Sequence, residues 1–319
     1  MPPVRQAGAV SDAATQTHAG TAGDLAGGTT AAGDTRAVGD TRAVALWRDG
    51  TAVRVPAGEP VVTAFDLGLG RGDGVFESVL VAGGATPRLD AHLHRLARSA
   101  ALLELPDPGA AVWRELVAAV LDGWPAGVEG SCRLFLTRGL GEGTAPTALA
   151  LLAPVGAEVL RQRTEGIAVV SLGLGVPAGF RSTARWLLGG AKTLSYAVNM
   201  AALRHAHAVG ADDVVFTSLE GQLLEAPTAT VVWAAGGTLH TPPLETGILP
   251  GTTMARLFQR AADDGWPTAV TAGTVADLHA ADAVWLVSGI RGAAAVHSLD
   301  GERRGDAGLT PRVVELLQR

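Results

Sequence analysis

Residues 189–194 read Gly-Gly-Ala-Lys-Thr-Leu, and the lysine of this stretch, Lys192, is the single lysine of a 319-residue chain. The chain has 25 basic residues of the Lys and Arg type, so the remaining 24 are arginine. Arginine stays protonated at any working pH, whereas lysine can lose its proton and attack a carbonyl group as a neutral amine. The count alone leaves two interpretations open: a nucleophilic role for Lys192, and a surface lysine retained by chance.

The surroundings of Lys192 favour a place beside a flat ligand. The small residues before it let the backbone approach a ligand closely. An apolar helical pattern follows over 195–209, with Ser195 as the predicted N-cap and Gly210 as the stop signal. A lysine that a rigid element holds in an apolar pocket has a lowered pKa, which suits Schiff-base chemistry.

The composition divides the chain into a tail and two folded blocks. Residues 1–43 are mostly Ala, Gly, Thr and Asp and contain a tandem Gly-Asp-Thr-Arg-Ala-Val, so we expect a disordered low-complexity tail. Residues 44–157 alternate strand hairpins with helices, which predicts an α+β domain. Residues 158–319 contain several glycine-marked hairpins and predict a second domain with a barrel-like sheet. The connection between the two domains is expected over 154–166.

Charge and residue counts exclude several classes of function. The formal net charge is -6 and no basic stripe is present, which argues against a nucleic-acid partner. The single cysteine, Cys132, excludes an intramolecular disulfide and a cysteine-cluster metal site, and the histidines are scattered, so no metal site is expected. No apolar run approaches the ~20 residues of a membrane span. These features are typical of a cytoplasmic enzyme or binding protein.

Three further segments each allow a structural and a functional interpretation. Glu225 ends a predicted strand in an apolar stretch, and either faces solvent or pairs with the ring N–H⁺ of a pyridine cofactor. Arg95 lies on a predicted helix beside apolar positions, and either extends to solvent or grips a phosphate. Residues 247–253, Gly-Ile-Leu-Pro-Gly-Thr-Thr, open a helix, where the threonines either cap it or bind an anion.

The glycine-rich run at 68–74 is not a dinucleotide-binding motif. Asp73 stands where the third glycine of that motif should be, and the run precedes a predicted strand, whereas the motif requires a helix there.

Taken in order, these segments resemble the class IV aminotransferases, the fold-type-IV PLP enzymes. The family pattern of Gly-Asp-Gly-x-Phe-Glu is matched at 72–77, His-x-x-Arg-Leu at 92–96, and Leu-x-Gly-x-Thr at 249–253, with Lys192 and Glu225 between the last two. The resemblance covers the chain from about residue 44 onwards. It implies an α+β, two-domain fold, with a small N-terminal α/β sandwich-like domain and a C-terminal pseudo-barrel domain that binds PLP. It also implies a homodimer.

The resemblance assigns a role to each matched residue. Lys192 would carry PLP as a Schiff base and act in catalysis, Glu225 would bind the pyridine nitrogen, and Arg95 would bind the phosphate. Further residues near Glu225 and within the 249–253 segment are also expected to bind the cofactor: Thr228, Leu249, Thr252 and Thr253. Two positions depart from the family pattern, since Thr230 replaces an asparagine and Ile290 replaces a hydroxyl residue that would contact the phosphate. Tyr196 lies one residue short of the tyrosine of branched-chain members.

Subfamily features favour one of the three main activities of these enzymes. Branched-chain aminotransferases carry an arginine shortly after Phe-Glu, which this chain lacks at 78–80. Residues 134–139, Leu-Phe-Leu-Thr-Arg-Gly, are similar to a segment of the lyases, and Arg138 is a candidate for binding a substrate carboxylate. The resemblance therefore favours a 4-amino-4-deoxychorismate lyase, which forms 4-aminobenzoate and pyruvate in folate biosynthesis. The alternatives are an aminotransferase for branched-chain or D-amino acids and, more distantly, a non-catalytic relic of the fold.

Overall fold

The computed structural model describes residues 41–318, so the expected tail lies almost wholly outside the described residues. The strands of the described chain are β1 (Ala43–Arg48), β2 (Thr51–Val55), β3 (Gly74–Val81), β4 (Gly130–Thr137), β5 (Thr147–Pro154), β6 (Ile167–Gly173), β7 (Asp213–Thr217), β8 (Thr230–Ala235), β9 (Thr238–Thr241), β10 (Thr268–Val270), β11 (Ala283–Ser288), β12 (Gly292–Leu299) and β13 (Glu302–Arg303). The helices are α1 (Leu67–Arg71), α2 (Leu89–Leu102), α3 (Ala110–Leu121), α4 (Ala157–Glu165), α5 (Phe180–Thr183), α6 (Ala197–Ala208), α7 (Thr252–Asp263), α8 (Val275–Ala280) and α9 (Thr310–Gln318).

The first sheet is antiparallel throughout and runs in the order β2-β1-β5-β4-β3. Helices α2 and α3 cover one of its faces, because the alternate residues of β3 other than Glu77, and the helically spaced Leu93 and Leu96, are apolar and pack into one core. The opposite face of β3 and β4 carries Phe76, Ser78 and Arg133, which are only partly buried or exposed. This face is therefore free to form the wall of a site.

The second sheet mixes parallel and antiparallel pairs in the order β10-β9-β8-β11-β12-β6-β7, with β13 paired to β12. Its central strand β11 is apolar on both faces, as expected for a strand buried between two layers. Val284 and Leu286 pack with α8 on one side, and Trp285 packs with α7 and α9 on the other. The two sheets and their helices confirm the predicted α+β class.

Several local predictions were wrong, and each error has a local cause. The Gly83-Gly84 pair predicts a hairpin between strands at 75–81 and 85–89, but no strand forms at 85–89: a single bridge joins Ala82 and Ala85, and α2 begins at Leu89. Helix α4 within 154–166 was not predicted, because most of its residues are polar; the role of this segment as the connection between two domains stays a prediction. Helix α6 begins at Ala197 with Tyr196 as its cap residue, because Ser195 instead donates a hydrogen bond to a backbone carbonyl in the 72–74 turn.

The proposed boundary between residues 157 and 158 stays a prediction. The described residues, 41–318, belong to one compact unit, and α4 occupies the expected connection. Within residues 41–318, no helix combines the length and the apolar character needed to cross a membrane.

Candidate active site

Lys192 is held by its backbone along the edge of β3. Its carbonyl accepts a hydrogen bond from the amide of Phe76 at 3.0 Å, and the Leu194 amide donates to the carbonyl of Gly74 at 2.8 Å. The Lys192 amide donates to the hydroxyl of Ser99 on α2 at 3.1 Å. Gly74 allows this approach, because a Cβ there would lie 2.7 Å from the side chain of Leu194. The lysine therefore sits on a rigid support.

The side-chain nitrogen of Lys192 lies in an apolar, aromatic environment. Its Nζ is 4.3 Å from the centre of the Phe76 ring and 3.5 Å from the hydroxyl oxygen of Tyr196. Burial disfavours the charged ammonium and lowers the pKa of Lys192 to about 8. Burial also raises the pKa of Tyr196, so its hydroxyl keeps its proton. Tyr196 thus reaches the site although its register differs from that of branched-chain members.

Two donors hold the carboxylate of Glu225. One oxygen accepts the backbone amide of Leu249 at 2.9 Å, and the other accepts a guanidinium nitrogen of Arg181 at 3.2 Å. Glu225 does not lie on a regular strand, but its carbonyl accepts a hydrogen bond from the amide of Phe216 in β7. Arg181, on the short helix α5, was missed in the sequence because nothing in the local pattern marks it as a partner of Glu225.

Arg95 forms a bidentate ion pair with the buried carboxylate of Glu77. The distances are 2.6 Å from Nε to Oε1 and 2.8 Å from Nη2 to Oε2, while Nη1 donates to the carbonyl of Pro250 at 3.2 Å. Burial by itself would raise the pKa of Glu77, but hydrogen bonds from Arg95 and His92 outweigh it and lower that pKa to about 2. Glu77 is therefore ionised near neutral pH.

The beginning of α7 presents unused hydrogen-bonding groups beside Arg95. Gly251, the N-cap residue, offers no side-chain cap to the first amides of the helix. The hydroxyl oxygen of Thr253 is buried and has no hydrogen-bond partner among the described residues. A Cβ at Gly251 would collide with the hydroxyl of Thr230, so the turn accepts only glycine. Open amides and an unsatisfied hydroxyl at a helix N-terminus form an anion site.

A cavity of about 590 Å³ joins these groups. It lies within the size range of small-molecule and cofactor sites, about 300–1,000 Å³. Its wall contains all the residues predicted to bind a cofactor, which are Lys192, Arg95, Glu225, Thr228, Leu249, Thr252 and Thr253.

Arg138, the predicted substrate-binding residue, is not among the residues that line this cavity. Its guanidinium pairs with the carboxylate of Asp73, with Nε 2.7 Å from Oδ2, and donates to the carbonyl of Leu103 at 2.7 Å. Since Asp73 lies between Gly72 and Gly74, Arg138 supports the turn that packs against the Lys192 segment. Its role in substrate binding stays a prediction.

Arg133 lines the cavity and was missed in the sequence. It is exposed, and no hydrogen bond or ion pair of its guanidinium is found within the described part of the chain. On β4, Ser131, Arg133 and Phe135 alternate with buried residues and share the face turned to the cavity. This two-residue period was the signal that could have identified Arg133, because it places Arg133 on the cavity face of β4. Arg138 lies beyond the end of the strand, so the period does not apply to it.

The described residues contain no cluster of three or more His, Cys, Asp or Glu side chains that could hold a metal ion. The thiol of Cys132 lies in the core of the first sheet, where burial raises its pKa to about 12.

The family model of the class IV aminotransferases matches residues 74–299. The chain belongs to this family. A protein of Mycobacterium tuberculosis described as a bifunctional aminodeoxychorismate lyase / D-amino acid transaminase is 45% identical over 255 residues, covering 77% of this chain and 88% of that protein. An aminodeoxychorismate lyase of Bacillus subtilis is 27% identical over 252 residues, covering 73% and 79% respectively.

A solved structure of a hypothetical aminotransferase from M. tuberculosis, in its PLP-bound form, superposes on this chain with a TM-score of 0.82. The two are 42% identical, and the match covers 87% of this chain and 97% of that one. The fold-type-IV architecture and the dependence on PLP are thereby confirmed. The residues present fit the cofactor, since the site offers an amine with a lowered pKa and a buried threonine hydroxyl that lacks a partner.

Proposed function

We propose that this enzyme is a PLP-dependent 4-amino-4-deoxychorismate lyase that forms 4-aminobenzoate and pyruvate for folate biosynthesis. The observation that carries the proposal is the 45% identity to a relative described as having this lyase activity. The cavity supports it with the amine, the carboxylate and the anion site that the cofactor and an anionic substrate require. We also propose that the enzyme is a homodimer in the cytoplasm. Its chain is proposed to contain two domains, at 44–157 and 158–319.

The roles proposed for the cofactor-binding residues follow from their positions. Lys192 would hold the cofactor covalently, and Glu225 would pair with its ring nitrogen. Arg95 would bind its phosphate together with the open start of α7. Thr228, Leu249, Thr252 and Thr253 would contact the remaining atoms. Bound PLP supplies an electron sink for the electrons released at the amine-bearing carbon of the substrate.

Lys192 would move the proton in the reaction. Once the substrate's amino group has replaced Lys192 on the cofactor, the freed lysine, as a neutral amine, would take a proton from the ring carbon that bears that amino group. The resulting ammonium would return this proton to the oxygen of the leaving enolpyruvyl group, whose bond to the ring breaks as the ring becomes aromatic. The enol released in this way tautomerises to pyruvate. A pKa of about 8 for Lys192 suits both the uptake of the proton by the amine and its release by the ammonium near neutral pH.

Arg133 is proposed to bind a carboxylate of the substrate. The substrate carries one carboxylate on its ring and one on the enolpyruvyl group, and a guanidinium binds a carboxylate with two parallel hydrogen bonds. Arg133 supports this role because it faces the cavity and its donors are free within the described chain. Arg138 remains a weaker candidate, since Asp73 already occupies its guanidinium.

D-amino acid transamination is the second candidate activity. It is favoured by the same relative, which is described as bifunctional. It would use the same lysine and the same cofactor. Branched-chain transamination has less support, because the chain lacks the arginine that follows Phe-Glu in those enzymes.

The test is a product assay on purified protein loaded with PLP. One arm receives enzymatically generated aminodeoxychorismate and follows 4-aminobenzoate and pyruvate. A parallel arm receives D-alanine or L-leucine with 2-oxoglutarate and follows glutamate. We expect 4-aminobenzoate and pyruvate in equal amounts. Glutamate without the aromatic product would replace the lyase by an aminotransferase, and no product in either arm would favour the non-catalytic relic.

A further inference from the structure

We propose that Glu77 is a positioning residue that orients Arg95 for the phosphate of the cofactor. This inference rests on the phosphate-binding role proposed for Arg95, which the experiment below tests separately. Glu77 itself does not line the cavity, whereas Arg95 does. Glu77 therefore does not contact the cofactor itself, and Arg95 is the residue through which it would position the phosphate.

The donors of Arg95 show how its orientation is set. A guanidinium has five N–H donors. Three of them are used: Nε and Nη2 bind the two oxygens of Glu77, and Nη1 binds the carbonyl of Pro250. The two that remain lie one on each terminal nitrogen. Because Pro250 directly precedes Gly251 and Thr252, the bond to its carbonyl directs this end of Arg95 towards the start of α7.

Glu77 can act as an anchor because it is itself immobile. Its side chain is fully buried, with a relative exposure of 0%. It accepts a third hydrogen bond from Nδ1 of His92 at 2.8 Å. The His92 ring in turn packs against Gly289 in the turn between β11 and β12, where a Cβ would lie 3.3 Å from Cε1 of that ring. Burial and the His92 ring therefore fix the carboxylate of Glu77 through Oε2, independently of its bonds to Arg95.

Charge alone does not account for a carboxylate at this position. Glu77 neutralises Arg95 and so weakens the attraction of Arg95 for a phosphate dianion. A buried carboxylate is also costly unless hydrogen bonds compensate it. An anion in this place is useful only if the orientation it gives to Arg95 outweighs the lost attraction. The proposal therefore predicts that phosphate recognition falls when the anchor is moved, even though the charge is kept.

The experiment compares PLP with pyridoxal, which lacks only the phosphate group. The dissociation constants of both aldehydes for the apo-protein are measured by absorbance. The Kd for pyridoxal divided by the Kd for PLP gives the contribution of the phosphate group to binding. Glu77→Asp keeps the charge but withdraws the carboxylate by one methylene. We expect this ratio to fall about tenfold, the equivalent of one charge-assisted hydrogen bond, with little change in pyridoxal binding.

Two further variants keep the test decisive. Glu77→Gln preserves the side-chain shape if the aspartate variant fails to fold, and its ratio should also fall, because one of the two acceptors for Arg95 is lost. Asp66→Asn is the matched control: Asp66 is a buried carboxylate that binds Thr137 and Thr147 outside the cavity, so its loss should lower stability but leave the ratio unchanged.

The outcomes separate the inference from the proposed site. An unchanged ratio in Glu77→Asp, or a raised ratio in Glu77→Gln, would overturn the positioning role in favour of charge balance. Arg95→Gln tests the premise: if it leaves the ratio unchanged, Arg95 does not bind the phosphate and the proposed site itself is wrong. A fall in Arg95→Gln without one in Glu77→Asp overturns only the inference.

Discussion

The side-chain nitrogen of Lys192 lies 3.5 Å from the hydroxyl oxygen of Tyr196. This phenol is the one hydrogen-bonding partner of the nitrogen among the described residues, and the ring of Phe76 approaches it at 4.3 Å. A single weak polar contact does not replace the water that an ammonium loses on burial, which is why the pKa of Lys192 falls from 10.5 to about 8. The nucleophile is therefore available near neutral pH.

Attachment of the cofactor to Lys192 should depend on pH. Only the neutral amine attacks the aldehyde, so the rate of Schiff-base formation between apo-protein and PLP should rise with pH and level off above about 8. Stopped-flow absorbance at a series of pH values measures it. A rate that keeps rising towards pH 10.5, the usual pKa of lysine, would show that the amine is solvated.

Replacement of the lysine should abolish turnover without unfolding the protein. Lys192→Ala removes the nucleophile and the proton carrier together, so we expect a loss of at least about a thousandfold in kcat. Lys192→Arg keeps a positive charge but no neutral amine, and should be equally inactive. Circular dichroism and thermal melts check the fold of both variants. Substantial residual activity in either would remove Lys192 from the mechanism.

Glu225→Gln should slow the chemical step, because a neutral amide cannot stabilise a protonated ring nitrogen as a carboxylate does. We expect a loss of about tenfold to a hundredfold in kcat, of the size attributed to a charge-assisted hydrogen bond. Single-turnover absorbance kinetics measure the step. The matched control is Glu220→Gln in the neighbouring exposed turn. Equal rates in the wild type and Glu225→Gln would show that Glu225 does not face the cofactor.

Arg133 and Arg138 should respond differently to substitution. Arg133→Gln should raise KM about tenfold to a hundredfold, since a charged hydrogen bond contributes about 1.5–3 kcal/mol. Arg138→Gln should leave KM nearly unchanged and lower the free energy of unfolding by about 1 kcal/mol, because its partly exposed pair with Asp73 is lost. Steady-state kinetics and urea unfolding of both variants decide the matter. The reverse pattern would restore Arg138 as the substrate-binding residue.

Local signals predicted much of the fold and the cofactor site. Hydrophobic period and turn residues located most strands of both sheets, and the family motifs at 92–96 and 249–253 led to residues that the fold brings into one cavity. Strand β12 was missed because its alanines carry little strand preference. Helix α4 was missed because its buried face is small and most of its residues are polar.

The partners of the site residues could not be predicted in the same way. Arg181 lies 44 residues from Glu225 along the chain, and Glu77 lies 18 residues from Arg95. Such pairs arise from the packing of separate elements, for which no spacing rule exists. Arg133 differs, because the alternation of β4 already marks the face on which it lies. The choice of Arg138 followed a motif and disregarded the period of the strand.

Chemical trapping shows whether Lys192 holds the cofactor. The holoenzyme is reduced with borohydride, which converts a Schiff base into a stable amine, and its peptides are analysed by mass spectrometry. Since Lys192 is the single lysine of the chain, we expect one pyridoxyl phosphate adduct, on the peptide that contains residue 192, and none in Lys192→Ala. A holoenzyme that binds PLP but yields no adduct at this residue would show that Lys192 does not form the Schiff base.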